Sequence, residues 1–356
     1  MAFFAEKHYP EILLPEELDN YLSQGWYRMG QSIFTTHYLC FGKKFYSALW
    51  IRLNLKNHQY RKGQRKLMRK NAARFQIKYA PFHLTKEKEQ LYWRYKKKFK
   101  GFLAGSLEES LLDGEEFSVF KTYEAQIYDG NKLIGLSFFD IGKESAASIM
   151  GIYDPTYHSY SLGYYSMLLE MEYCMANDIH LYYPGYVVPG YDRFDYKQRI
   201  GEVEVYKMKN WEWVAYDEAE LPPVSKMEHQ LAKLAQLFDK NEIKNHFYYY
   251  PLFEANLFGF WNTQYLDFPV FLQIYANKED LQFFYFIVFD PRKDHFKLLR
   301  CANIENHSFF FNKSYINTFV PDKYFMTLST LEAVLLEGDS ISEICRLVQE
   351  KEHVFI

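Results

Sequence analysis

Apolar positions change their spacing several times along this chain, and each change marks an element. Glu16 to Gln24 predicts a short helix, followed by Gly25-Trp26-Tyr27. From Phe45 to Leu55 the pattern alternates through Phe45, Ser47, Leu49, Ile51 and Leu53, which predicts a strand. Leu67, Asn71 and Arg74 then recur at helical spacing inside a basic stretch. There the pairs Arg65/Arg69 and Lys66/Lys70 stack one turn apart. Thr85 to Phe99 predicts a second helix. Thr85 is its cap, Leu91, Tyr92 and Tyr95 share one face, and Lys96-Lys97-Lys98 sit where the helix dipole favours cations.

The middle of the chain changes period. Ser118 to Tyr128, Lys132 to Asp140 and Ala146 to Tyr153 predict an antiparallel meander, with Asp129-Gly130-Asn131 as the first turn. Behind Ser161, Leu162 to Asn177 predicts a helix with one broad apolar stripe, and Ile179 to Val188 predicts a further strand. Strand, strand, strand, helix, strand is the core order of an acyltransferase-type sandwich. Glu218 to Ser225, with Pro222-Pro223, predicts a linker. Past it come a helix from Met227 to Asp239 and strands at Phe268 to Ala276, Leu281 to Phe289 and Phe296 to Ala302. One or two helices are expected over Thr327 to Glu350. The fold class expected is α+β. It comprises an N-terminal region (1–58), a mixed sheet with flanking helices (59–216) and a smaller aromatic-rich C-terminal domain (227–356), accessory to the active site.

Charge sharpens this picture. Between Arg52 and Lys100 lie 17 of the 42 Lys/Arg and only 2 of the 45 Asp/Glu. That block carries +15 and the rest −18, which the formal net charge of −3 conceals. A polyanion would relieve the repulsion of stacked like charges, so Arg65, Lys66, Arg69 and Lys70, with Asn71 at the end of the same helix, are candidates for contact with nucleic acid. The plainer alternative is a solvated basic face. Aromatic residues make up 20% of the chain, with 32 Tyr and 32 Phe. They suit stacking platforms, but their spread along the whole chain equally fits a general preference for aromatic over aliphatic core residues.

Cys40, Cys174, Cys301 and Cys345 are too far apart in sequence for a metal-ligand motif, so no metal or other cofactor is expected. Met1 to Pro10 does not read as a signal peptide, and no apolar run approaches the ~20 residues of a membrane span. A cytoplasmic protein with no membrane partner is the expectation.

Four blocks in register point to a family. They are Gly63-Gln64-Arg65-Lys66-Leu67-Met68-Arg69-Lys70-Asn71; Tyr92-Trp93-Arg94-Tyr95; Tyr153-Asp154-Pro155 followed by Ser161-Leu162-Gly163-Tyr164-Tyr165 and Glu172; and Tyr182-Tyr183-Pro184-Gly185-Tyr186 followed by Tyr196-Lys197. Together they resemble the arginyl- and leucyl-tRNA–protein transferases of the N-degron pathway, over roughly Gly25 to Trp213. The resemblance implies a GNAT-like sheet. It also implies transfer of arginine or leucine from aminoacyl-tRNA to a protein N-terminus, expected to be Asp or Glu. Two departures stand out. Relatives carry an N-terminal cysteine cluster where this chain has Cys40 alone, and the segment from Met227 has no counterpart in the shorter bacterial members.

That reaction is aminolysis of an ester, so the substrate supplies the nucleophile and the protein must position and polarise. Ser161 and Gly163 open a helix whose N–H groups could stabilise an oxyanion, or form an ordinary helix start. Glu172 could position the amine, or be a surface carboxylate. Tyr182 and Tyr186, expected on one side of the strand with Tyr183 on the other, could stack on the terminal adenosine or fill the core. Lys197, with Arg193 or Arg199, could pair with an acidic N-terminal side chain. Two other readings remain: an acyl-CoA-dependent N-acyltransferase of the GNAT class, and a non-catalytic RNA-binding protein. A second small residue beside Gly163 is missing where CoA-dependent members of this fold need one.

Overall fold

The computed structural model describes residues 3–101, 103–258, 263–275, 283–304 and 313–351. Ala276, Leu281 and Gln282, at the ends of two expected strands, lie outside them. So do Met1, Ala2 and 352–356. The described chain is α+β. An eight-stranded sheet runs in the order Glu212–Ala215, Glu204–Lys207, Leu49–Asn54, Leu181–Val187, Ser145–Tyr153, Lys132–Ile141, Thr122–Asp129, Gln76–Pro81. The meander Thr122–Tyr153 forms as its alternation predicts, with Asp129 pairing Lys132 across the Gly130 turn.

Helices cover both faces. The central helix Leu162–Ala176 packs on one face through Leu162, Leu168, Leu169 and Met171, against Ile134, Phe139 and Ile141. It is buried on most sides rather than along one stripe, because the basic helix Lys62–Ala72 covers its outer flank with Leu67 and Met68. The other face takes Lys86–Lys96 and Leu107–Leu112, whose Leu91, Tyr92, Leu107 and Leu111 meet Leu136 and Phe138. Strand Lys132–Ile141 is therefore apolar on both sides, as a strand between two helical layers must be. Thr85 caps its helix as expected, accepting from the Lys88 N–H at 3.3 Å.

Phe45 to Leu55 is two strands, not one. Lys44–Ser47 pairs in a hairpin with Tyr38–Phe41, and Leu49–Asn54 enters the large sheet. The chain bends at Ala48, whose N–H bonds the His37 carbonyl at 2.9 Å. A separate three-stranded sheet joins Ala5–His8, Ser32–Thr36 and Tyr27–Met29.

The C-terminal part holds a five-stranded antiparallel sheet, ordered Asn245–Tyr249, Val270–Ile274, Phe283–Asp290, His295–Ile304, Leu328–Gly338. Leu328–Gly338 was expected to be helical. Its leucines favour a helix locally, but the open edge of His295–Ile304 recruits it as a strand. Only Ile341–Glu350 remains helical. The expected linker is shorter than the sequence suggested. Pro223 opens the helix Pro223–Lys240, and the Val224 N–H donates to Ser47 Oγ at 3.0 Å. The core under this sheet also takes in Phe4, Tyr38, Phe45 and Met208.

Candidate active site

Strands Ser145–Tyr153 and Leu181–Val187 are parallel neighbours only over Ser145–Ala147 and Leu181–Tyr183. Beyond that point both are irregular. One is bulged between Ser148 and Met150, the other between Tyr182 and Gly185. The two strands splay, and the gap opens into a cavity of about 530 Å³. Ser148, Met150 and Gly151 form one wall and Pro184 the other. The start of the central helix contributes Ser161, Gly163, Tyr164 and Ser166. The segment Asp192–Ile200 contributes Arg193, Phe194, Tyr196 and Lys197, while Tyr95 and Phe99 come from the end of the second helix region.

Behind Ser137 and Ser148 lies Glu170, fully buried on the central helix. Tyr182 donates to its carboxylate at 2.6 Å, and the Ser137 hydroxyl donates to the other oxygen. Burial pushes the Glu170 carboxyl up to about 7, although Ser137, Tyr182, Ser148 and the charge of Lys197 all pull it down. Lys197 is half-buried. Burial lowers its ammonium to about 8, against the attraction of Glu170. Its Nζ lies 5.5 Å from the centre of the Tyr186 ring and 5.4 Å from that of Phe194. A Cβ at position 185 would stand 2.9 Å from this Nζ, and Gly185 has φ +95°, so the lysine needs a glycine beneath it. The site is thus a carboxylate and an amine, each tuned toward neutral pH, around a splayed strand pair.

The segment building this cavity is similar to several known proteins. Residues 75–207 match the family described as arginine-tRNA-protein transferase, C terminus. By this match the segment is similar to the aminoacyl-tRNA–protein transferases. An aspartate/glutamate leucyltransferase of Leptospira interrogans is 28% identical over 196 residues, covering 53% of this chain and 74% of that protein. The protein of the same description from Campylobacter jejuni is 27% identical over 200 residues, covering 54% and 81%. That from Ruegeria pomeroyi is 26% identical over 214 residues, covering 57% and 75%. Among solved structures, L-PGS from Bacillus licheniformis aligns with TM-score 0.30 and 11% identity, covering 42% of this chain and 47% of that one.

Within the matched segment, Ser161, Gly163, Arg193 and Lys197 all reach the cavity. Ser161 has φ 51°, and its side chain makes no capping bond, so it is not an ordinary N-cap. The first-turn N–H groups of Leu162 and Gly163 have no helical partner. Gly163 leaves room for Tyr153, whose Cε1 would meet a Cβ there at 3.3 Å.

Four expectations change. Glu172 is exposed, and the buried carboxylate is Glu170, half a turn away. Tyr182 and Tyr186 do not share a side. The bulge at Pro184-Gly185 shifts the alternation, so Tyr182 turns to the central helix while Tyr183 and Tyr186 both join the cluster around Trp50. Tyr182 is wholly buried, so it supports Glu170 rather than offering a stacking surface. Asn71 is fully buried as well: its Nδ2 donates to the Tyr160 carbonyl at 3.0 Å, tying the basic helix to the turn before the central helix. Arg65, Lys66, Arg69 and Lys70 stay exposed on the outer face. Gln64, also buried, donates to the Tyr164 hydroxyl at 3.0 Å and so links that helix to the cavity wall. Burial could have singled out Glu170, because it is flanked by Leu168, Leu169 and Met171, but one sequence does not say which helical position faces a sheet.

Cys40 is half-buried, and burial pushes its thiol up to about 11, away from nucleophilic use. Among the described residues, no group of three or more His, Cys, Asp or Glu is placed to hold a metal. None of their helices is long and apolar enough to cross a membrane.

Proposed function

We propose that this enzyme transfers leucine from leucyl-tRNA to the α-amine of a protein beginning with Asp or Glu, in the cytoplasm, on a GNAT-like sheet. One observation carries the choice of substrates. Among the described residues, the cavity lining contains Arg193, Lys197 and His158 but no carboxylate. An arginyl group would bury its guanidinium there without a partner, whereas a leucyl side chain fits against Met150, Met167 and Phe194. Arg193 and Lys197 also suit the acidic side chain of the acceptor. The names of the curated relatives support this reading.

In the transfer, the acceptor nitrogen bonds to the leucyl carbonyl carbon and the ester C–O bond to the ribose breaks. The ribose oxygen leaves with a proton, and the amine gives one up. A protein α-amine has a pKa of about 7.7–8.0, close to the tuned value of Glu170. Ser137 lines the cavity and touches Glu170, so it can pass the amine proton inward. The N–H groups of Leu162 and Gly163 face the developing oxyanion. Arg65, Lys66, Arg69 and Lys70 hold acceptor-stem phosphates, and Gln64–Tyr164 connects that face to the reaction centre.

A filter assay tests the proposal. Radiolabelled leucyl-tRNA and arginyl-tRNA are each offered with peptides beginning with Asp or Ala. Leucine transferred to the Asp peptide is the expected result. Arginine transferred in preference, or leucine transferred equally to Ala, would overturn it.

A further inference from the structure

A second hollow, of about 440 Å³, opens on the amino-terminal three-stranded sheet. Phe3, Trp26, Tyr206 and Trp211 give it ring surface, and Glu6 gives it a carboxylate. Sheet register supports the grouping, since Glu6 pairs with Thr35, which also lines the hollow.

Three of these aromatic walls have visible supports. His8 lies against Trp26, ring centres 4.3 Å apart, and its Nε2 is 3.0 Å from Glu6 Oε1. The carboxylate is thereby fixed beside the indole. Tyr206 is buried, and its ring lies 6.0 Å from Trp211. Trp211 stands in the turn between Glu204–Lys207 and Glu212–Ala215 with φ +55°, a left-handed conformation unusual for a tryptophan. That turn leaves the indole 41% exposed at the mouth of the hollow.

The electrostatics are one-sided. His37 lines the hollow but is neutral at physiological pH, because burial, aided by Arg292, lowers its imidazole to about 3. Arg292 is itself 2.7 Å from Asp290, which offsets its charge. Glu6 is therefore the one charged side chain in the lining among the described residues. Aromatic faces are negative at their centres, so rings and carboxylate favour the same sign of ligand. A planar guanidinium suits them best. It stacks on an indole and engages a carboxylate with two parallel N–H donors.

We propose that this hollow binds the arginine side chain of a protein partner, stacked on Trp211 or Trp26 and paired with Glu6. The site is separate from the transfer cavity and shares none of its lining residues.

The test uses the full chain and N-acetyl-arginine amide as probe, followed by calorimetry and tryptophan fluorescence at constant ionic strength. N-acetyl-citrulline amide, the neutral isostere, is the control. Saturable binding in the millimolar range is expected, with citrulline amide about ten-fold weaker or more. Glu6→Gln is expected to weaken the arginine probe by a similar factor, and Trp211→Phe to remove most of the fluorescence change. Circular dichroism checks the fold of both variants. Equal binding of the two amides would overturn the proposal, as would unchanged affinity in Glu6→Gln or no saturation by about 50 mM. Leucyl transfer to a peptide without arginine is expected to be unchanged in Glu6→Gln. A loss of transfer there would make Glu6 part of the catalytic architecture and overturn the separation of the two sites.

Discussion

The Tyr182 hydroxyl donates a 2.6 Å hydrogen bond to Glu170 across the interface between a central strand and the helix packed on it. Neither group is exposed. Their contact places a carboxylate with a raised pKa directly behind the splay of the sheet, where the cavity forms.

Glu170→Gln should therefore separate activity from stability. The amide can still engage Ser137 and Tyr182 but cannot take a proton. Transfer should fall by about 10²–10⁴-fold. In the wild type, kcat should rise as pH passes through about 7, because the ionised carboxylate is the active form. The variant should lose that limb. Stability moves the other way. The folded carboxyl binds its proton more tightly than the unfolded one, so its contribution is full below the unfolded pKa and is lost as pH rises through about 7. Thermal melts of Glu170→Gln at pH 8 should match or exceed the wild type. A pH-independent loss of rate with a lowered melting temperature would contradict the assignment.

Lys197 makes a second pH prediction. Its ammonium, lowered to about 8, is charged at neutral pH and loses its charge above that. The KM for an Asp-initiated peptide should rise as pH passes through about 8. Lys197→Met should raise that KM already at pH 7 and flatten its pH dependence. Steady-state kinetics with acidic and neutral peptides measures both.

Reversal of Arg65 and Arg69 together to Glu should weaken tRNA binding. It should also reduce the slope of log K against log salt by roughly 1 for each phosphate the helix no longer neutralises. Arg65 also donates to the Tyr60 carbonyl, so circular dichroism must accompany the titration. An unchanged slope would remove this face from tRNA binding.

Asn71→Ala should behave differently, although it sits on the same helix. Its Nδ2 serves the Tyr160 carbonyl inside the protein. Removing it should cost about 1–3 kcal/mol of stability, because a buried carbonyl loses its donor. The salt dependence of tRNA binding should not change. Denaturant melts and binding isotherms separate the two effects.

A chain ending near Val224 should aggregate. The sequence suggested an accessory C-terminal domain, but Phe4, Tyr38, Phe45 and Met208 share a core with the C-terminal sheet. Cutting there exposes those side chains, because it removes most of the helix Pro223–Lys240, whose Met227, Leu231, Leu234 and Phe238 lie in the same core. Gel filtration of the truncation decides the matter, and a monomeric folded product would contradict the prediction.

The sequence by itself determined what depends on neighbours a few residues apart. The meander around Gly130, the Thr85 cap and the basic face of Arg65, Lys66, Arg69 and Lys70 were legible from local period and turn chemistry, whereas Ser161, Gly163 and Lys197 were singled out by the family resemblance. Tertiary structure decided the rest, because those outcomes depend on what lies across a gap. Whether Glu170 or Glu172 faces inward depends on how the helix is rotated against the sheet, and both positions sit in apolar surroundings along the chain. A bulge at Pro184-Gly185 sends Tyr186 to the opposite face from Tyr182, and it forms because the strand must leave one neighbour while keeping another. The leucines of Leu328–Gly338 became a strand because the adjacent sheet edge had unpaired backbone groups to satisfy. Backbone hydrogen bonds across a sheet and the burial of one helical face are non-local terms. Where they oppose local propensity they prevail, since an unsatisfied buried group costs more than an unfavourable propensity.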